Sequence, residues 1–574
     1  MDKLYDICVK ELLLLVKKIH KWSIQHKDHI YNALLATSII LLLVLTTYAA
    51  YHTSIADSTD ADALVSTYLF GPGLIGHTVH LIYNHSVILM IPLLFIQGHL
   101  PYHYTSFMLV NIGLVVLTVV AWVYLLIKLF GRKYEIPIII LFTGLLFTSV
   151  SLNFSIVYIA IRNIEYPIAL WFVFIINRLL SNNKYSRKEL VLSFLGAFLF
   201  CLALAGDSLL KYAILLPIGL VLGWYWIQAE NFTKGMLKAL ILVLTVDFGA
   251  LLLKLLLNAS KIISLDKNYL PTAKILPYNS LWSSITIAFR QLISLQGANI
   301  FGQIPNIHNL YLFINLFIFI LSIVGLVLIL IKTNQKYRKK SDIADSKNFI
   351  ITVMSVVFFV LFSVYVLSGL GLTKVNGHLV SNGSSRYISF LPFISFIGFI
   401  WLLKNYYKDY RNLVYLTVAI LLFGIITSFP TISSTYKLVS QSNQYSRTSL
   451  NTIISVLKKN DVHEVVTDYW YGPPIKFWSH NTINFAQEIG CDQPLPFNTR
   501  QDWFKPQPNI KSALVVDRGG FNLGYWACPN SQLISIYGSP IKKIIVPGIY
   551  PNTHVTIWIY NYDVRQKLLP LKHE

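Results

Sequence analysis

The chain has 574 residues, of which 55% are hydrophobic and only 13% charged, with a mean hydropathy of +0.57 and a formal net charge of +21. This balance excludes an ordinary soluble globular protein, and because the basic residues fall in short clusters between apolar runs it also argues against nucleic acid as a partner. Four cysteines (Cys8, Cys201, Cys491, Cys528) form no CxxC pair and show no metal-ligand spacing, which leaves no zinc module or thioredoxin-like centre.

Residues 1–32 read as a basic N-terminal segment, followed by an apolar run too long for the core of a cleavable signal and long enough to be a retained first span. Runs of bilayer-spanning length lie at 33–53, 105–130, 136–152, 165–180, 189–206, 212–228, 237–257, 309–331, 348–370, 388–403 and 412–430. Eleven spans are therefore expected, across a transmembrane domain of residues 33–432. Lysine and arginine set their orientation. With the N-terminus inside, the inner segments carry Arg132 and Lys133, Arg178 to Lys188, Lys234 and Lys238, Lys332 to Lys347, and Lys404 to Arg411, whereas the first outer segment, His52 to Tyr104, has no lysine or arginine. The run 86–97 within it is too short to cross and suits an interfacial or re-entrant helix. A second long outer segment covers Asn258 to about Leu310. An odd number of spans then places residues 433–574 outside, as a small α/β domain with strands expected at Val462 to Val466, Ala513 to Val516, Lys543 to Val546 and Val555 to Tyr560. Cys491 and Cys528 would share that oxidising side, where a disulfide between them is expected.

Four groups could carry chemistry. Asp57, Asp60 and Asp62 follow the first span with no local cation to neutralise them, so they could bind a metal ion or supply a base; a solvated loop of acids would read the same way. Arg162 and Glu165 sit at the outer mouth of the fourth span, a depth at which charges usually face a cavity, though a structural ion pair is the alternative. Asp207 and Lys211, at the outer end of the fifth span, are spaced i,i+4 and could pair locally or bind substrate. Arg386 opens the tenth span, where it could hold a phosphate or anchor the interface. All four fall on the same outer face. Asp247 and Lys254, within the seventh span, read instead as a structural pair in the bundle interior. His77, His80 and His85 lie near the acids and offer a weaker metal reading.

The segments Asp57-Ser58-Thr59-Asp60-Ala61-Asp62 and Arg162-Asn163-Ile164-Glu165, with the order of loops and the outer C-terminal domain, resemble the GT-C superfamily of integral-membrane glycosyltransferases. The resemblance implies a multi-pass α-helical fold with a small extracytoplasmic domain, in a bacterial or archaeal plasma membrane. It also implies transfer of a sugar from a polyprenyl-phosphate donor to a glycan, lipid or protein acceptor. Asp60 or Asp62 would be the catalytic base and Glu165 the second catalytic acid. Asp57, Arg162, Asp207, Lys211 and Arg386 would contact substrate, and a divalent cation, Mg or Mn, would sit on Asp60 and Asp62 if one is used. Two other classes remain open: an envelope enzyme of the O-antigen ligase or polysaccharide polymerase kind, which needs no acids after span one, and a lipid or sugar transporter, which expects discontinuous helices near mid-membrane.

Overall fold

The structure, a computed structural model, describes residues 27–57, 64, 69, 77–82, 88–89, 91, 104–158, 164–181, 186–229, 233–260, 263–266, 275–338, 346–370, 372–375, 378–381, 384–406, 410–495, 498–517, 528–550 and 552–570. Among the described residues, thirteen helices occupy the first four-fifths of the chain: α1 (Lys27–Asp57), α2 (Tyr104–Phe130), α3 (Glu135–Thr148), α4 (Val150–Tyr158), α5 (Glu165–Leu180), α6 (Arg187–Gly206), α7 (Leu216–Ala229), α8 (Lys234–Ala259), α9 (Tyr278–Leu295), α10 (Leu310–Arg338), α11 (Ser346–Ser368), α12 (Leu391–Tyr406) and α13 (Tyr410–Lys459). Most of the segment 86–97, expected as an interfacial helix, lies outside the described residues.

Eight helices, α1, α2, α6, α8 and α10 to α13, are long and apolar enough to cross a membrane, and α3 with α4 makes a ninth if the bent pair is one span. The other expected spans fall short. The run 136–152 bends by 90° between α3 and α4. At that break Ser149 adopts an extended ψ of 90°, its hydroxyl donates to the Leu295 carbonyl (2.8 Å), and it accepts from the Leu152 amide (3.2 Å), which starts the next helix. The run 165–180 forms the 16-residue α5, about 24 Å of helix against a hydrocarbon core of about 30 Å. The run 212–228 is a shorter apolar helix, Lys211–Ile227, that opens with a π-helical turn over Lys211–Leu215.

Strand β1 (Val79–Ile82) lies parallel to β2 (Ile263–Asp266) and antiparallel to a short strand, Thr499–Arg500, in the C-terminal region, while β3 (Leu372–Val375) and β4 (His378–Ser381) pair as a separate antiparallel hairpin. Both outer loops and the tail thus meet in one sheet on one face of the bundle. Among the described helices between β1 and β2, α2, α6 and α8 are long and apolar enough to cross a membrane. At the opposite face, α6 begins with a capping box between Ser186 and Glu189, and Glu189 also pairs with Arg178 (3.2 Å).

Close helix contact depends on two glycines. A Cβ on Gly325 of α10 would collide with the Gly398 carbonyl of α12, and one on Gly398 with the Ser322 carbonyl, so only glycine lets these backbones cross.

The C-terminal region is built on a six-stranded sheet. Its strands are β5 (Glu464–Thr467), β6 (Asn484–Ile489), β7 (Gln493–Pro494), β9 (Ser512–Asp517), β10 (Lys542–Pro547) and β11 (His554–Tyr560), with β8 (Thr499–Arg500) given to the sheet of the outer loops. The order is β10-β11-β9-β5-β6-β7, with β5 parallel to both neighbours, and helices α14 (Gly472–Trp478) and α15 (Asn530–Tyr537) complete the domain. The four strands expected from sequence correspond to β5, β9, β10 and β11. No break marks position 433: α13 runs unbroken through it and buries Leu450, Ile453 and Leu457 in the core. The expected disulfide joins Cys491 to Cys528, with Cα atoms 5.2 Å apart.

Candidate functional site

The acids of the first loop can be located only by their flanks. Asp60 and Asp62 lie outside the described residues, as does Arg162, and of Asp57 only its place as the last residue of α1 is described. Downstream, Leu64 is fully buried against Met108 of α2 and Phe477 of α14. The described residues that flank the acid segment are therefore the end of α1 and a leucine packed against the C-terminal domain. His80 of β1 stands opposite Ser264 and Thr499, while His85 is not described. Among the described residues no three His, Cys, Asp or Glu side chains converge as a metal site, and the proposed ligands Asp60 and Asp62 are not among them.

Glu165 opens α5 and is fully buried, and its neighbour Tyr166 stacks on Phe390 with ring centroids 3.8 Å apart. One helical turn before Phe390, a 3-10 segment (Ser384–Ile388) carries Arg386, half-buried, with its guanidinium 5.5 Å from the Tyr387 ring. Hydroxyls surround it: Ser385 lies 3.5 Å from Ser155 of α4, and Ser389 donates to the Arg386 carbonyl (3.0 Å). The amphipathic α9 closes this region. Its Ser284 donates to the Val366 carbonyl (2.7 Å), and its Gln291 accepts from Tyr365 (2.8 Å), both on α11. Glu165 and Arg386 thus precede the two rings of one aromatic stack, by one residue and by four.

The other two candidates part company. Asp207 is 3% exposed and accepts from the Leu209 amide (2.8 Å), while Lys211 turns away to an ion pair with Asp247 at 2.6 Å. The i,i+4 pair expected between Asp207 and Lys211 gives way to this longer-range one, because the π-helical turn beginning at Lys211 redirects its side chain towards α8. The expected partnership of Asp247 with Lys254 is corrected in the same way, and its interior placement with it: Leu244, Phe248 and Leu251 around Asp247 are all exposed, so the pair lies on the outside of the bundle.

Two features escaped the sequence. One is a polar seam where α1, α4 and α13 meet: Tyr48 lies 2.9 Å from Ser433, His52 Nδ1 2.9 Å from Ser440, and Asn153 donates to the fully buried Tyr436 hydroxyl (3.0 Å). His52 and Ser440 alone are 388 positions apart, and no local spacing connects the members. The other is a buried charge network under α14. Arg565 pairs with Glu464 (2.8 Å) and Asp563 (2.7 Å), Arg500 with Asp502 (2.7 Å), and Lys476 donates to Asn484 (2.6 Å). Burial pushes the Glu464 carboxyl up against the opposing pull of Arg565, and lowers Lys476 to about 8 despite the attraction of Glu464. Three cations face three acids there, so the network is neutral overall and holds α14, and with it Phe477, in place.

No protein family, curated protein sequence or solved structure matches the chain. An apolar helix bundle, the acids Asp57, Asp60 and Asp62 in the sequence just before the docked Leu64, the buried Glu165 and the half-buried Arg386 are the chemistry at hand. Together they supply carboxylates for proton transfer, a cation for an anionic group, and an apolar surround for a lipid.

Proposed function

We propose that the protein is a membrane glycosyltransferase that moves a sugar from a polyprenyl-phosphate donor to an acceptor hydroxyl at the face carrying the outer loops. The observation that supports it best is the β2-β1-β8 sheet, which gathers the acid-bearing loop, the second outer loop and the tail at one end of an apolar bundle. A lipid-linked donor needs such an arrangement, with its tail in the bilayer and its phosphate at the boundary. Asp60 or Asp62 takes the acceptor proton as the acceptor oxygen attacks the anomeric carbon. The bond from that carbon to the phosphate oxygen breaks, and polyprenyl phosphate leaves with the electron pair. Glu165 is the second acid. Arg386, four residues before Phe390 of the Tyr166–Phe390 stack, is the preferred cation for the leaving phosphate, since Lys211 would first have to leave Asp247. A divalent cation, if used, would sit on Asp60 and Asp62 and stabilise the departing phosphate. The positive-inside pattern and the Cys491–Cys528 disulfide both favour an extracytoplasmic location for this face.

The test is transfer from a polyprenyl-phosphate sugar by purified, folded Asp57→Asn, Asp60→Asn, Asp62→Asn and Glu165→Gln. Loss of the base should cut turnover by about 10²–10⁴. Near-normal transfer by all four variants would reject the reading.

A further inference from the structure

At the far face of the bundle, α10, α11 and α12 leave a cavity of about 320 Å³. Helix α10 starts at Leu310, just after the second outer loop, and Lys332 lies 22 residues further on, about 33 Å along the axis. That distance matches the hydrocarbon thickness of about 30 Å, so the cavity lies at headgroup depth in the opposite leaflet. Its lining mixes the apolar Ile351 and Trp401 with the polar Lys332, Gln335, Asn348 and Asn405. Among the described residues that line it, none is acidic. The Lys332 ammonium is held at the edge by two aromatic faces, 5.3 Å from the Trp401 ring and 4.2 Å from the Tyr406 ring. Asn405 donates to the Trp401 carbonyl (2.9 Å), which fixes its amide beside the opening. The adjoining chain adds charge of the same sign, for Lys336, Arg338, Lys339, Lys340 and Lys347 follow Lys332 against only Asp342 and Asp345.

An ammonium and carboxamides beside an indole and a branched alkyl chain, at headgroup depth, suit an anion that carries an apolar body. We propose that this cavity binds the headgroup phosphate of an anionic phospholipid from the leaflet opposite the outer loops, with Lys332 as its cation, the amides as hydrogen-bond donors, and Trp401 and Ile351 against the start of the acyl chains. The site is independent of the transferase reading and stands or falls without it.

The test uses the full chain in phosphatidylcholine nanodiscs with a graded fraction of phosphatidylglycerol, followed by thermal unfolding. The midpoint should rise with phosphatidylglycerol, and Lys332→Gln should shift that dependence to about fivefold higher lipid fraction, as one basic contact predicts. Asn348→Ala with Asn405→Ala should shift it in the same direction. Lys404→Gln, which removes an equal charge on a residue that does not line the cavity, should shift it less. An unchanged midpoint, or equal responses from Lys332→Gln and Lys404→Gln, would overturn the proposal. So would inorganic phosphate reproducing the rise in pure phosphatidylcholine, which would make the ligand a free anion.

Discussion

Lys211 Nζ lies 2.6 Å from Asp247 Oδ1, a bond between the turn that follows α6 and the middle of α8, on a surface turned away from the bundle. Both side chains are close to 40% exposed there (42% and 41%), among Leu244, Phe248 and Leu251. In a bilayer that exposure is to lipid rather than water, so each charge depends on the other. Removing one partner leaves a lone charge at a cost of about 2.5–3.5 kcal/mol on insertion scales. Lys211→Leu and Asp247→Leu should each lower the unfolding midpoint, and the double variant should recover most of the loss. Additive losses in that cycle would show that the two charges do not interact. Transfer activity separates structure from catalysis: if Lys211 contacts the leaving phosphate, the double variant stays folded and inactive.

Glu488 and Tyr537 set a pH dependence in the C-terminal domain. The Tyr537 oxygen is 2.9 Å from Glu488 Oε2 and 2.9 Å from the Cys491 carbonyl, yet a hydroxyl has a single proton. Both contacts are hydrogen bonds at once when Glu488 is protonated and donates to Tyr537, which in turn donates to Cys491. Complete burial pushes the Glu488 carboxyl well above its ordinary 4.5 in the same sense. The unfolded chain therefore loses this proton as pH rises past 4.5 while the folded chain keeps it, so stability falls over that interval. Glu488→Gln, whose amide can donate to Tyr537 without titrating, should raise the unfolding midpoint near neutral pH, with a gain that shrinks towards about pH 5. A gain independent of pH would refute the buried-proton account.

Leu64 and Phe477 link the acid-bearing loop to the C-terminal domain. Leu64→Ala opens a cavity against Phe477 and Met108 and should cost about 2–5 kcal/mol of local stability. Because Asp62 is two residues upstream, turnover should fall and protease cleavage within 58–63 should increase, while the bundle melts as before. Unchanged cleavage and turnover would mean that the domain does not position this loop.

What the sequence disclosed follows the range of the forces involved. Apolar runs marked every helix from α1 to α13 apart from α9 and the short α4, because hydrocarbon burial is a local property of a segment. Short strand-like runs set between Gly, Pro and Asn turns marked β5, β9, β10 and β11, again a local property of each segment. The bend at Ser149 was not legible, since its cause is a carbonyl of Leu295 far along the chain. Nor were β1, β2 and β8, short strands that exist only by pairing across loops. The site divided similarly: the outer-face grouping came from charge, whereas the partner of Lys211 came from a π-helical turn that no spacing rule anticipates.

The sheet and the charge rule make separable predictions about sidedness. With Cys8 and Cys201 replaced by serine, single cysteines at the exposed positions Asn299, Gln532 and Gln335 can be probed on intact cells with a membrane-impermeant thiol reagent, Cys491 and Cys528 being held in their disulfide. The β1–β2 and β1–β8 pairings require Asn299 and Gln532, on the second outer loop and the tail, to share a side, whichever side that is. Gln335, at the end of α10 beyond Lys332, should differ from both. The lysine and arginine asymmetry adds the sign: Asn299→Cys and Gln532→Cys should react on intact cells, and Gln335→Cys only after permeabilisation. If the pattern is inverted, the charge-based orientation fails while the sheet stands, and the proposed active face moves to the cytoplasm, where the Cys491–Cys528 disulfide would be out of place. If Asn299→Cys and Gln532→Cys label on opposite sides, the shared sheet itself is wrong, and with it the composite site on which the transferase reading rests.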